Sequence, residues 1–332
     1  MITGKIQDIV LGRSVMTKLD RRCGSVVVPP GIGRDFGAVT LDDGTILMTH
    51  MHTMCGDAYE CGQLAVWAAV NGLMAHGAKL TGITVSITMP EDTPEPQLRE
   101  LMALLEQSCR RLDIQILGGH TTVSPAVSEM IVSVCAEGTA PSADRLTQLT
   151  LRDGDDLVMT GWAGLSGTAV IARRAGSQLY EKYHPGFIDG TQQFFEAADV
   201  RPAAALLDDF DISGVKDVSS TGIYGALWEM AAAGGAGFEV YLKKIPLRQE
   251  TVEICNYFDI NPYRLESAGA LLVALDHGGR FVQACHKAGV HAAVIGTVVS
   301  GNKKLIINDE ETSCMEAPRG SEMAKIDWRN QR

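Results

Sequence analysis

The chain has 332 residues, 45% of them hydrophobic and 21% charged, which is long enough for about two domains and ordinary for a water-soluble globular protein. Lys and Arg number 29 against 40 Asp and Glu, and the net charge of −11 with no basic run argues against nucleic-acid and anionic-membrane binding. No stretch nears ~18 consecutive apolar residues, so no membrane-spanning helix is expected.

The opening Met-Ile-Thr-Gly-Lys-Ile-Gln-Asp lacks the apolar core of a signal peptide. The eight cysteines, Cys23, Cys55, Cys61, Cys109, Cys135, Cys255, Cys285 and Cys314, form no C-x-x-C and read as reduced thiols, several of them core fillers. These features lead to the expectation of a cytoplasmic protein.

In chain order, residues 1–29 read as a short helical lead, with Ile9, Val10, Val15 and Leu19 as its apolar face and an extended Val26-Val27-Val28 at its end. In Gly31-Ile-Gly-Arg-Asp35, two close glycines let the backbone approach a ligand, and Asp35 stands where a carboxylate would face a metal. Asp42-Asp43-Gly44 is a hairpin-type turn into a second strand, Ile46 to His52. Alternation puts His50 and His52 on one face of that strand, at chelating spacing, with Cys55 and Cys61 following. With His120 as a third ligand this set would suit zinc or iron; it also reads as an unligated pocket histidine plus core cysteines.

Residues 62–78 form a helix apolar enough to be buried, with Asn71-Gly72 inside it. A helix-interior glycine costs about 1 kcal/mol relative to alanine, so stability does not explain Gly72. After a strand at 83–87 and a helix to Arg111, the strand at 114–117 is read as ending in Gly118-Gly119-His120-Thr121-Thr122-Val123. Another strand spans 130–136, and 140–144 reads as a linker.

In the second half, Gly161, Gly164 and Gly167 open a helix, without the spacing of the dinucleotide fingerprint. Residues 178–196, rich in aromatics, read as a flap or packing arm. A strand ending at Val218 then runs into the polar turn Ser219-Ser220-Thr221-Gly222, and a helix carries Ile223, Leu227 and Met230 to Gly234-Gly235. A helix starting at a hydroxyl- and glycine-rich turn has anion-binding geometry, with Asp217 just before it. The same pattern also fits a plain capped helix with Ser219 or Ser220 as N-cap. Residues 267–274 are a buried strand, Gly301-Asn302 a two-residue hairpin turn, and 311–332 a polar surface tail.

The segment Asp217-Val-Ser-Ser-Thr-Gly-Ile-Tyr-Gly-Ala-Leu-Trp-Glu-Met230 resembles the one that opens the C-terminal-domain helix in the AIR synthase superfamily, the relatives of PurM, HypE, SelD and ThiL. Gly33-Arg-Asp35, the 62–78 helix with its Leu64-Ala65-Val66 and Gly77-Ala78, and Gly118-Gly119-His120-Thr121 are similar to further motifs of the same superfamily, nearest its HypE-like, hydrogenase-maturation branch. The resemblance spans nearly the whole chain in matching order. It implies an α/β (α+β), two-domain PurM-like fold. An N-terminal ATP-binding domain over 30–145 would pair its sheet with a second subunit's in a dimer barrel, and a C-terminal α/β domain would cover 150–310.

For the site, the resemblance implies ATP and magnesium. Gly31, Gly33, Asp35, His50, Asn71, Gly118, Gly119, Thr121, Ser219, Ser220, Thr221 and Gly222 would surround the nucleotide. Asp35, Asp217 and His50 would stand at the metal, and Asp217 and His120 would have catalytic roles. The chain departs from the family where acids are expected, reading His50, Gly72 and Thr122, so a weakened magnesium site is expected. Its last residues, Asp-Trp-Arg-Asn-Gln-Arg, differ from the Pro-Arg-Ile-Cys end of HypE, so the thiocarboxamide chemistry of HypE is not expected; SelD's N-terminal Cys/Sec loop is unmatched too. Two functions stay open. One is ATP-dependent activation of a heteroatom on a small molecule or peptide end. The other is a divergent non-catalytic paralogue that binds a nucleotide or phosphorylated small molecule as a regulatory partner. A homodimer is expected in either case.

Overall fold

The structure, a computed structural model, describes residues 2–20, 22–140, 142, 146 and 149–328. The expected 140–144 linker and the last four residues lie largely or wholly outside them. Two compact units emerge: one from Arg22–Pro30 and Asp35–Thr147, the other from Met1–Arg21, Gly31–Arg34 and Gln148–Arg332. The expected 1–29 lead is thus divided: its first part folds with the C-terminal half of the chain, and its Val26–Val28 belongs to the first unit.

The first unit is a six-stranded sheet. Its strands are β1 (Val26–Val28), β2 (Gly37–Thr40), β3 (Ile46–Gly56), β4 (Lys79–Met89), β5 (Gln115–Val123) and β6 (Met130–Ala140), in the order β1-β2-β3-β6-β4-β5. All neighbours are antiparallel except β4 and β5, which the helix Glu95–Leu112 connects as a crossover. The β2–β3 hairpin forms as expected, with Gly44 at φ +84° and the Thr45 N–H donating to Asp43. One face of the sheet is apolar, with Met48, Val132, Val134, Ile83 and Ile87 at or near zero exposure. The helix Ala58–Ala75 covers that face and is itself buried at every position except Tyr59 and Gln63, which accounts for its all-round apolar sequence. Gly62 lets the 95–112 helix close on it, since a Cβ there would sit 2.6 Å from that of Leu104. The helix begins four residues before the sequence expectation because Asp57 and Glu60 form a capping box.

The second unit is a seven-stranded sheet. Its strands are β7 (Asp156–Thr160), β8 (Ile212–Val218), β9 (Gly237–Tyr241), β10 (Ala270–Leu275), β11 (Ala292–Val299), β12 (Lys304–Asn308) and β13 (Glu311–Cys314), in the order β13-β12-β9-β11-β7-β10-β8. Ile223, Leu227 and Met230 of the helix Gly222–Gly234 pack on Met159, Leu272, Phe238 and Ile295, as their spacing predicts. β10 lies between β7 and β8 and is buried at all six positions, hence its unbroken apolar run. A smaller cluster gathers Ile171, Leu179, Ile188, Ile254 and Ile260 with Tyr183, Phe187 and Tyr257, so the aromatic 178–196 stretch is a packing arm.

Three expectations are corrected here. Gly301-Asn302 does not make a hairpin, because β9 lies between β11 and β12 and pairs with β12 in parallel. Residues 311–328 are not a trailing tail: β13 pairs with β12, Ile326 and Met323 join the smaller cluster, and buried Glu322 accepts from the Asn261 N–H at 3.0 Å. The lead's helix, Asp8–Ser14, is not the core element its apolar pattern suggests: among the described residues it fully buries none, Ile9 is 74% exposed, and Val10 and Leu11 are only half-buried.

Candidate functional site

In the N-terminal unit, His50 is not at a strand end. β3 runs on to Gly56, and His50 lies mid-strand on the helix-covered face, its Nδ1 2.8 Å from the Ala69 carbonyl of the 58–75 helix. Asn71 is 1% exposed in the same helix, and Gly72 is buried beside it. Asp35 precedes β2, next to Phe36, whose ring meets His76 edge-on at 4.6 Å.

The pairing of strands settles the histidine cluster. His50 pairs with Ala136 and His52 with Val134, in rows that continue to Ile83 and Val85 on the buried face. His120 pairs with Ser86, which pairs with Ser133, which pairs with Thr53. That row is on the opposite, uncovered face, because cross-strand partners share a face and neighbours along a strand alternate. His120 therefore cannot complete a zinc or iron site with His50 and His52, and Cys61 is fully buried in the helix. Among the described residues, no three His, Cys, Asp or Glu side chains gather into a metal-binding group.

Gly118, Gly119, His120 and Thr121 lie inside β5, an exposed edge strand, rather than in a loop beyond its end. Gly119 has a packing reason: a Cβ there would be 1.9 Å from the Val85 carbonyl oxygen. Gly118 meets nothing within 4 Å.

In the C-terminal unit, β8 leads into the 219–222 turn. Gly222 has φ +62°, and a Cβ on it would meet the Tyr263 and Leu265 carbonyls at 2.6 Å, so the turn requires glycine. The Ser219 carbonyl accepts from the Gly222 and Ser267 N–H groups. Thr221, not Ser219 or Ser220, is the N-cap residue, and no side chain caps the helix. Ser219 and Ser220 remain half-buried at the turn. A buried hydroxyl network braces this region from behind: the Gly164 N–H donates to Ser267 Oγ at 2.7 Å, Ala268 N–H to Ser166 Oγ, and Thr168 Oγ1 lies 2.9 Å from Thr251 Oγ1. Gly33 has φ +75° and lies against the Glu229 carbonyl, which leaves no room for a side chain; the nearest atoms to a Cβ on Gly31 belong to the Arg34 side chain.

Asp217 is 5% exposed and pairs with Leu271, so it leaves β8 on the face opposite Lys216. Lys216 points to the helix side and forms a 3.0 Å ion pair with Glu229, both side chains 5% exposed. Lys5, from the lead, also binds Glu229. A cavity of about 390 Å³ lies there, walled by residues 5–9, by Thr221, Trp228 and Glu229, and by residues 317–320. Sequence reasoning missed this charged group. Its signal was a lysine in a mostly buried strand and a glutamate in a mostly apolar helix, charges that cannot be buried without partners.

Comparison with known proteins agrees with this architecture. The chain matches the family model of the AIR synthase related protein N-terminal domain over residues 28–140, and that of the C-terminal domain over 152–308. A putative hydrogenase expression/formation protein of Methanocaldococcus jannaschii is 24% identical over 257 residues, covering 75% of this chain and 73% of that one. The carbamoyl dehydratase HypE of Azotobacter vinelandii is 23% identical, covering 81% and 76%. The structure of the hydrogenase maturation protein HypE in complex with ATP superposes with a TM-score of 0.71 at 19% identity, covering 87% of this chain and 90% of that one. The two-sheet PurM-like fold, the motifs in order and these matches agree: the chain belongs to the AIR synthase related protein family, among its HypE-like members.

Proposed function

We propose that this protein binds ATP, as its relative HypE does in the ATP complex, but without a carboxylate-held magnesium ion and without turning the nucleotide over. The observation that carries the reading is the 219–222 turn. A strand with a buried aspartate one residue before its end leads through the turn into a thirteen-residue helix whose first turn has no side-chain cap. The N–H groups of such a turn and the positive end of the helix dipole favour a phosphate.

The donor set does not fit a magnesium site of the family's kind. A hard cation takes oxygen ligands, and the N-terminal unit offers Asp35 alone at the matched positions. His50 is engaged with the Ala69 carbonyl, and Gly72 and Thr122 carry no charge. Phosphoryl transfer relies on metal ions to neutralise developing charge, so this favours the non-catalytic paralogue over the ATP-dependent enzyme. In this reading Asp217 and His120 have no catalytic role to fill. The uncovered face of the N-terminal sheet, with Met51 65% exposed, supports a homodimer that shelters it.

Calorimetry of ATP binding with and without EDTA tests the proposal, together with phosphate release. The expected result is binding that EDTA changes less than threefold and no release above background. The variant His50→Asp should not gain magnesium dependence, because position 50 lies under the helix. Tight binding abolished by EDTA, or magnesium-dependent turnover, would overturn it.

A further inference from the structure

The two chain ends meet over the cavity beside Glu229. The Ser321 N–H donates to the Thr3 carbonyl at 2.9 Å. Gly4 (φ +113°) and Gly320 (φ +66°) cross so closely that a Cβ on either would fall within 2.4–2.6 Å of the other strand's backbone. The lead and the 317–320 segment are thus latched together, and both line the cavity. Its volume, about 390 Å³, is within the range of small-molecule pockets.

The charges inside it are unequal. Glu229 is held by two lysines, Lys5 and Lys216. Asp8 accepts the Trp228 indole N–H, and burial together with the Glu229 charge pushes its carboxyl above the ordinary range, toward neutrality. Arg319 lines the same cavity as a second cation beside Lys5, exposed on the latch. Trp228 lines the cavity with a ring that Lys304 covers at 4.9 Å. An indole and a guanidinium lining one cavity suit a ring that carries an anionic group.

We propose that this cavity is a binding site for a small planar anion, its ring on Trp228 and its carboxylate or phosphate on Arg319. The site lies wholly within one unit and shares Thr221 with the turn proposed to hold the nucleotide, but its Trp228 and Arg319 are not part of that turn.

The full-length protein, free of nucleotide, would be titrated with 4-hydroxybenzoate and with phenyl phosphate, following the melting temperature and tryptophan fluorescence. Benzamide supplies a ring without the charge, and inorganic phosphate the charge without the ring. The expected result is saturable quenching and a raised melting point with at least one of the two planar anions, and which one binds separates carboxylate from phosphate. Benzamide and inorganic phosphate should bind at least tenfold more weakly. Arg319→Ala should weaken binding at least tenfold while the unliganded protein melts as wild type, and Trp228→Phe should remove the quench. No binding of either planar anion at millimolar concentration, equal binding of benzamide, or an affinity unchanged in Arg319→Ala would overturn the proposal. ATP titrated in parallel separates the two readings: ATP that fails to bind while a planar anion still binds overturns the nucleotide reading and not this one.

Discussion

Lys216 and Glu229 form an ion pair 3.0 Å long, with both side chains 5% exposed, between the central sheet and the main helix of the C-terminal unit. Desolvating two charges is costly, and their attraction offsets that cost only while both are present. Glu229→Gln and Lys216→Met should each destabilise the protein by up to about 3–5 kcal/mol. The double variant Lys216→Met with Glu229→Leu should recover part of that loss, because it leaves no orphaned charge from the pair. Urea unfolding midpoints of the three variants check this. A double variant that loses the sum of the single losses would contradict it.

Asp8 gives a pH signature. Burial and the neighbouring Glu229 charge raise its carboxyl above the ordinary 3.8, against the opposing effects of Lys5, the Trp228 N–H and Lys216. The folded state therefore binds this proton more tightly than the unfolded state. Its contribution to stability falls as pH rises from 3.8 through the raised value, and stays low above it. Asp8→Asn removes the cost of the buried charge. It should melt above wild type at pH 7, with the gap closing as pH falls toward 3.8. A gap that is constant with pH, measured by thermal melts across that range, would show that Asp8 does not titrate in this way.

Two adjacent glycines in β5 should behave differently. Gly119→Ala places a Cβ 1.9 Å from the Val85 carbonyl, and overpacking of that kind costs about 1–3 kcal/mol or more. Gly118→Ala meets nothing within 4 Å and should stay within about 0.5 kcal/mol of wild type. Chemical denaturation separates them. ATP titration of the stable Gly118→Ala protein then shows whether that backbone must approach the nucleotide closely. Equal destabilisation by the two substitutions would refute the packing account of Gly119.

The homodimer has a direct test. Light scattering at micromolar concentration should give twice the chain mass. Met51→Arg, on the uncovered face beside the row of Thr53, Ser133, Ser86 and His120, should shift the protein toward monomer while each chain stays folded. A monomeric wild type would remove the proposal.

Local order was legible wherever one short-range cause dominates. The Ile223, Leu227 and Met230 stripe, the Asp43-Gly44 hairpin and the β10 apolar run were readable as written, because helical period, turn chemistry and two-sided burial each leave their own pattern. The matched motifs carried the family and the two-sheet fold for the same reason: they are contiguous in sequence.

Pairing between distant segments had no such trace. The faces of His50 and His120 follow from which strands lie side by side, and a one-residue change of register would have exchanged them. Gly301-Asn302 looked like a hairpin turn until β9 took the place between its flanking strands. Glu322 and Ile326 looked like surface residues because their partners are far away in sequence. The meeting of Lys5, Glu229 and Arg319 around one cavity, with Lys216 paired to Glu229, draws on the lead, a strand, a helix and the C-terminal segment. Sequence alone put Lys216 in a strand and Glu229 in a helix, and went no further with either charge. Only the tertiary structure decided their partners, because the cost of burying a charge is local while the group that offsets it comes from wherever the chain folds back.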